Sequence, residues 1–191
     1  KYLFILFLIF ANNFYGQNVR ATESLWDLIR SNSNLKYDSE RIEIIKASDK
    51  YNSNQYLINR LSKNGQRYLY YTVKEGLRKN LPVELSLIPF VESQFDPYAR
   101  SATGASGIWQ FIPSTARENG LKKNWWYDGR RDIVASTEAA YGFLSKLYDR
   151  YGDWLIAIAA YNAGPSRIKK EIEKNKKNGL PTDFWSLNLP R

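Results

Sequence analysis

The 191-residue chain contains no histidine and no cysteine. Serine-histidine triads, cysteine nucleophiles, thiolate zinc sites and histidine-ligated metals are therefore excluded together. An Asp-rich calcium loop and a phosphate-cradling glycine loop after a strand are also missing, so metal-dependent and nucleotide-dependent mechanisms lose their usual supports. Carboxylates, hydroxyls and amides are left for chemistry, and no cofactor is expected. Long apolar runs are scarce as well. Lys1 precedes the apolar stretch Tyr2 to Ala11, ten residues where a membrane span needs about 20. With Phe14-Tyr15-Gly16 as a cleavage neighbourhood, residues 1–16 read as a secretory signal peptide, the alternative being an anchor helix. The mature chain is then expected to be exported to the periplasm or cell envelope, without a stable membrane span.

What is present suits one domain with a real core: 43% of residues are hydrophobic and 15% aromatic. The formal charge of +9 attracts polyanions. An exported protein rarely meets nucleic acid, so an anionic cell-wall polymer is the better partner. The lysines at 169, 170, 174, 176 and 177 read equally well as a solvated helix face. A monomer is expected.

Residues 17–64 form an Asn- and Ser-rich helical lead-in, with patterns such as Leu25-Trp26-Leu28-Ile29 and Ile42-Ile44-Ile45. From Gly65 the helical pattern tightens, ending near Asn80, and residues 65–191 read as the functional domain. Pro82 opens the next helix, Pro89 should bend it and Asp96-Pro97 ends it. Residues 96–129 are turn-rich, with a short helix after Pro113. A long helix capped by Asp132 carries Ala140, Phe143, Leu144, Leu147, Tyr148 and Tyr151 on one face. Asp153 can cap Trp154 to Ala163, apolar all round and hence buried, stopped by Gly164-Pro165. No strand is expected, and the fold class is mainly α.

One acid breaks the apolar pattern. Leu81, Leu85, Ile88, Glu92 and Phe95 follow helical steps of four and three, which puts a carboxylate inside the apolar stripe. Burial disfavours the ionised form, and so does the negative end of a helix dipole in the last turn. A carboxyl still protonated near neutrality can serve as a general acid.

Three segments surround that acid in the pattern: Phe90 to Pro97, Gly104 to Pro113, and Ala160 to Gly164. Together they resemble the lytic transglycosylases of the soluble-lytic type, a lysozyme-like family. Trp109, Trp125 to Asp132 and Pro181 to Trp185 look like one membrane-bound branch of it. The resemblance covers residues 81–191 and weakens before Gly65. It implies a lysozyme-like helical domain with a loop-rich substrate cleft, acting on peptidoglycan glycan strands between N-acetylmuramic acid and N-acetylglucosamine. It makes Glu92 the single catalytic residue, first acid and then base, closing a 1,6-anhydro ring. It maps Ser101 and Gln110 onto substrate contacts, and Tyr161 and Asn162 onto the cleft wall. Relatives of this branch often carry a lipid-attachment cysteine and sugar-binding repeats, neither of which stands here, and usually a cleft tyrosine shortly after the point where this chain stops.

From the residues alone, alternatives stay open. Most glycosidases use two carboxylates. Asp96 is the nearest second acid, but a turn role fits it better, as it does Asp128. Tyr161 could be plain core. Asn162 is an amide that, if buried, must bond either Glu92 or a helix terminus. Ser93 and Gly107 should shape backbone, and Trp109, Trp125 and Trp126 are individually better read as core than as sugar platforms. The competing functions are a hydrolysing muramidase and a non-catalytic wall-binding protein.

Overall fold

Two aspartates start the helices at the centre of the molecule. In the computed structural model, which describes residues 25–36, 40–42, 44–46 and 55–189, Asp132 accepts a hydrogen bond from the Ala135 N–H and Asp153 one from the Ile156 N–H. Each satisfies a helix-end donor, a contribution of about 1 kcal/mol. The expected signal, residues 1–16, lies outside the described residues.

In chain order the helices are α1 (Leu25–Asn32), α2 (Gln55–Arg78), a 3-10 turn (Val83–Leu87), α3 (Ile88–Ser93), α4 (Pro113–Glu118), α5 (Ile133–Tyr151), α6 (Trp154–Ala163) and α7 (Pro165–Lys177). The described residues contain isolated bridges and no strand, as the mainly helical expectation requires. Helix α6 is the buried centre, with Leu155 to Ala160 removed from solvent and α5 and α7 packed against it. Burying a side chain the size of its leucine or isoleucines contributes about 1.5–3 kcal/mol. Gly164, at φ +89°, ends the helix where Pro165 begins the next.

A polar knot inside the core joins three elements. The fully buried Tyr141 of α5 donates its hydroxyl to the Thr72 carbonyl of α2 at 2.6 Å and lies 3.1 Å from Ser86 Oγ of the 3-10 turn. Thr72 Oγ1 and Ser86 Oγ cross-link the same two backbones. Because every one of these groups is bonded, the knot fixes the approach of the 3-10 turn to α2 instead of weakening the core.

The structure departs from the sequence-based reading in two elements. Helix α2 starts at Gln55, ten residues before Gly65, and so runs across the 64/65 division. The segment from Pro82 to Asp96 is not one bent helix but a 3-10 turn followed by the six-residue α3. Pro89 sits in the first turn of α3, where its missing N–H costs nothing, so it starts a new helix instead of kinking an old one. The apolar stripe survives this break, with Leu85, Ile88 and Phe95 all buried.

Part of the lead-in is core. Ile29 is fully buried, and the Trp26 ring stacks on Phe90 of α3 at 6.3 Å. The buried Glu84 reaches back to the chain after α1: its Oε1 accepts from Ser33 Oγ (2.6 Å), the Asn34 N–H (2.9 Å) and the Leu35 N–H (2.8 Å).

Candidate active site

Glu92 is the fifth of the six residues of α3, and the backbone around it is pinned from both sides. Ser93 Oγ donates to the Ile108 carbonyl at 2.9 Å, stitching α3 to the loop that follows. Beyond Ser93, Gln94 and Phe95 both take left-handed backbone, at φ 55° and 57°. For side-chain-bearing residues that conformation costs about 1–2 kcal/mol apiece. It is held by the Phe95 N–H bonding the Pro89 carbonyl and by the buried Phe95 ring set edge-on against Phe90, 4.8 Å between centroids. The chain therefore turns sharply just past Glu92 and leaves its carboxyl facing a cavity.

The loop opposite depends on one glycine. Gly107 has φ +82°, and a Cβ there would stand 1.7 Å from the Arg130 carbonyl oxygen. Only glycine permits that approach of two backbones. Gln110 also takes positive φ, 49°, and its amide donates to the Gly107 carbonyl at 2.8 Å. Ser93 and Gly107 thus shape backbone, as their sequence context suggests.

The cavity measures about 320 Å³ and is lined by Glu92, Gln110, Phe111, Ile112, Thr115, Phe143, Tyr161, Asn162, Ala163, Gly164 and Pro165. Four of the five residues singled out from the sequence meet here: Glu92, Gln110, Tyr161 and Asn162. Ser101 is not among the lining residues. Its hydroxyl accepts from the Ala105 N–H and bonds Thr103 Oγ1, which closes a tight loop. Thr115 and Phe143 were not singled out; a threonine just inside a proline-started helix gives no signal, and Phe143 follows the α5 core spacing while its ring packs on Tyr161.

Burial raises the Glu92 carboxyl from its ordinary 4.5 to about 7. No hydrogen bond or ion pair from the described residues reaches it. Asn162, read from the sequence as an amide needing a partner if buried, is exposed on the cavity wall and does not bond Glu92. The amide stands in the last turn of α6, where that helix emerges from the core. Tyr161 donates its hydroxyl to the Trp109 carbonyl at 2.8 Å; burial first, then the Glu92 charge, push its phenol upward, so it stays neutral.

The other acids have separate work. Asp96 accepts from the Tyr98 N–H, a local turn bond. Asp128 takes the Arg130 guanidinium through both oxygens, at 2.9 and 2.6 Å, and that pairing holds its carboxyl below the usual range. Trp109 is core, its indole N–H bonded to Thr137 Oγ1. Trp125 and Trp126 are 87% and 90% exposed, contrary to the core reading, because they occupy the tip of a hairpin that projects from the fold.

Residues 70–182 match the sequence pattern of the transglycosylase SLT domain. The chain belongs to this family. It is 41% identical over 177 residues, 92% of its length, to membrane-bound lytic murein transglycosylase D of Escherichia coli (strain K12). It is 30% identical over 108 residues to membrane-bound lytic murein transglycosylase F of Desulfosudis oleivorans, covering 53% of this chain and 22% of that one. Against the transglycosylase F of Shewanella woodyi the figures are 28% over 131 residues, 66% and 26%. The chain spans 39% of the length of the transglycosylase D relative. Glu92, Gln110, Tyr161 and Asn162 all fall inside the segment matched by the SLT family. No described helix is long and apolar enough to cross a membrane.

Proposed function

We propose that the chain is a peptidoglycan lytic transglycosylase, cutting the glycosidic bond between N-acetylmuramic acid and N-acetylglucosamine and leaving a 1,6-anhydromuramyl end. The observation that carries this reading is a single unpartnered carboxyl, raised to about 7, in a cavity that no other acid of the described residues lines. A two-carboxylate hydrolase needs a second acid within about 10 Å to activate water or form a glycosyl-enzyme. Asp96 accepts a turn N–H, Asp128 holds Arg130 and neither lines the cavity, which supports one-acid chemistry over a hydrolysing muramidase.

In the first step protonated Glu92 donates its proton to the departing glycosidic oxygen as the C1–O bond breaks. Family resemblance assigns the substrate's 2-acetamido group to stabilise the positive charge left at C1. In the second step the Glu92 carboxylate accepts the proton of the muramyl 6-hydroxyl, whose oxygen bonds to C1 and closes the anhydro ring. Atoms balance without water, and the enzyme ends with its acid reprotonated. Gln110 and Asn162 offer polar groups along the wall, while Phe111, Ile112 and Phe143 supply apolar surface around Glu92. Ser101 would touch substrate only outside this cavity.

In this reading residues 65–191 form the catalytic unit, which contains every cavity residue, and the described lead-in residues brace it through Ile29 and Glu84. Its polymer lies in the periplasm or envelope, where the signal-like residues 1–16 would direct the chain, and it acts as a monomer without cofactor. Digesting purified peptidoglycan and weighing the fragments tests the reading. Anhydro ends support it; reducing ends point to a muramidase, and no cleavage at all leaves a wall-binding protein.

A further inference from the structure

Helix α4 separates two cavities. Ile112 and Thr115 face the Glu92 cleft, whereas Pro113, Ala116 and Arg117 line a second cavity of about 370 Å³ together with Leu121, Lys123, Asn124, Asp128 and Arg130. The far wall of the second cavity is a hairpin. It is closed by bonds from the Gly129 N–H to the Lys122 carbonyl and from the Asn124 N–H to the Tyr127 carbonyl, both 2.8 Å. Asn124 Oδ1 accepts from the Trp126 and Tyr127 N–H groups, so the turn is built rather than loose.

The charges around this cavity do not cancel. Asp128 is its one acid, and Arg130 already occupies both of its oxygens. Lys123 Nζ stands 4.0 Å from Asp128, at the limit of pairing, and no carboxylate of the described residues pairs with Arg117. Two positive charges therefore border an apolar floor of Pro113, Ala116 and Leu121. An anionic group on a short, partly apolar body complements such a site.

We propose that this second cavity binds the carboxylate-bearing peptide branch of a peptidoglycan strand whose sugars lie in the Glu92 cleft. The proposal rests on the function proposed above and adds a substrate-selecting site to it. Geometry makes the two sites reachable by one branched molecule. A helix with side chains is about 10 Å across, and three extended residues span about 10 Å. A peptide leaving a muramyl sugar in the cleft can thus pass over the six-residue α4 and set its carboxylates between Arg117 and Lys123.

The experiment uses the full chain and the double variant Arg117→Gln/Lys123→Gln, checked for folding by circular dichroism. Calorimetry with a synthetic stem tripeptide carrying free carboxylates should show binding that the variant weakens about tenfold, the loss expected from removing two exposed charge contacts. The tripeptide with its carboxylates amidated should bind no better than the acid form binds the variant. On peptide-bearing strands the variant should raise KM by a similar factor, with the effect absent on strands stripped of peptide. No tripeptide binding, equal binding of the amidated form, or an equal KM rise on both strands overturns the proposal. So does loss of binding to anionic vesicles in the variant without tripeptide binding in the wild type, which would give the cluster to a lipid surface. If wild type cuts stripped strands but does not bind the tripeptide, only this cavity assignment fails; if it cuts neither strand, the proposed activity fails.

Discussion

Replacing Glu92 by Gln should abolish turnover and make the protein more stable above neutral pH. Burial moves the carboxyl from 4.5 to about 7 in the folded chain, so the folded state holds its proton more tightly than the unfolded state does. Between those two values folding takes up protons, and stability falls as pH rises. Below pH 4.5 the group is neutral in both states and contributes no penalty. Above about pH 7 it is ionised in both, and the penalty is complete. At about 1.4 kcal/mol for each tenfold change in proton affinity, its upper bound is roughly 3.5 kcal/mol, reduced by whatever water enters the cleft. Glutamine has nearly the same shape and never ionises. Urea denaturation of both proteins at steps from pH 4 to pH 8.5 measures the difference. The variant should be about equal to wild type near pH 4 and more stable by up to about 3.5 kcal/mol at pH 8. A difference that does not change with pH, or a variant less stable at pH 8, would refute the claim that desolvation holds this acid protonated.

Four further outcomes follow from the same structure. Activity on peptidoglycan should fall as pH rises through about 7, approaching tenfold per pH unit above it, because only protonated Glu92 can donate; a flat profile from pH 5 to 8 contradicts this. Gly107→Ala should destabilise by at least about 3 kcal/mol and remove activity, since the new Cβ meets the Arg130 carbonyl at 1.7 Å; an unchanged melting temperature speaks against that contact. Glu84→Ala leaves two backbone N–H groups and a hydroxyl without their acceptor, an expected loss of about 2–4 kcal/mol in urea denaturation. Tyr161→Phe removes the bond to the Trp109 carbonyl and should cost about 1 kcal/mol in stability, with only a modest fall in kcat if the hydroxyl positions backbone rather than substrate.

Features set by neighbours in sequence were legible beforehand. Asp132 and Asp153 cap the helices they precede, and the unbroken apolar run Trp154 to Ala163 is the buried centre, because capping and period depend on a few adjacent residues. Glu92 stood out for a similar reason, as an acid at an apolar position. The break between Leu87 and Ile88 did not, since the 3-10 turn keeps Leu85 and Ile88 facing the core and imitates one continuous stripe. The start of α2 was hidden by Asn59, Ser62, Asn64 and Gly65, whose weak helix propensity is overridden in the fold. Left-handed backbone at Phe95 and Gln110 leaves no compositional trace, because phenylalanine and glutamine are not the residues that favour it. The bond from Glu84 to residues 33–35 spans some fifty positions, and no local pattern reports it. Within the cavity, Gln110, Tyr161 and Asn162 came from family likeness more than from chemistry, whereas Ser101 came from likeness alone and lies outside it.

The lack of any tether from the described residues on the Glu92 head group gives it a freedom that most buried acids forgo. Rotation about the last bond of a glutamate is soft and nearly two-fold, so its two oxygens can exchange places without disturbing the chain behind them. In the proposed reaction, one oxygen would surrender hydrogen on one side of a sugar while its twin collects hydrogen on the other. A bond from Asn162 to either oxygen would hinder that swivel.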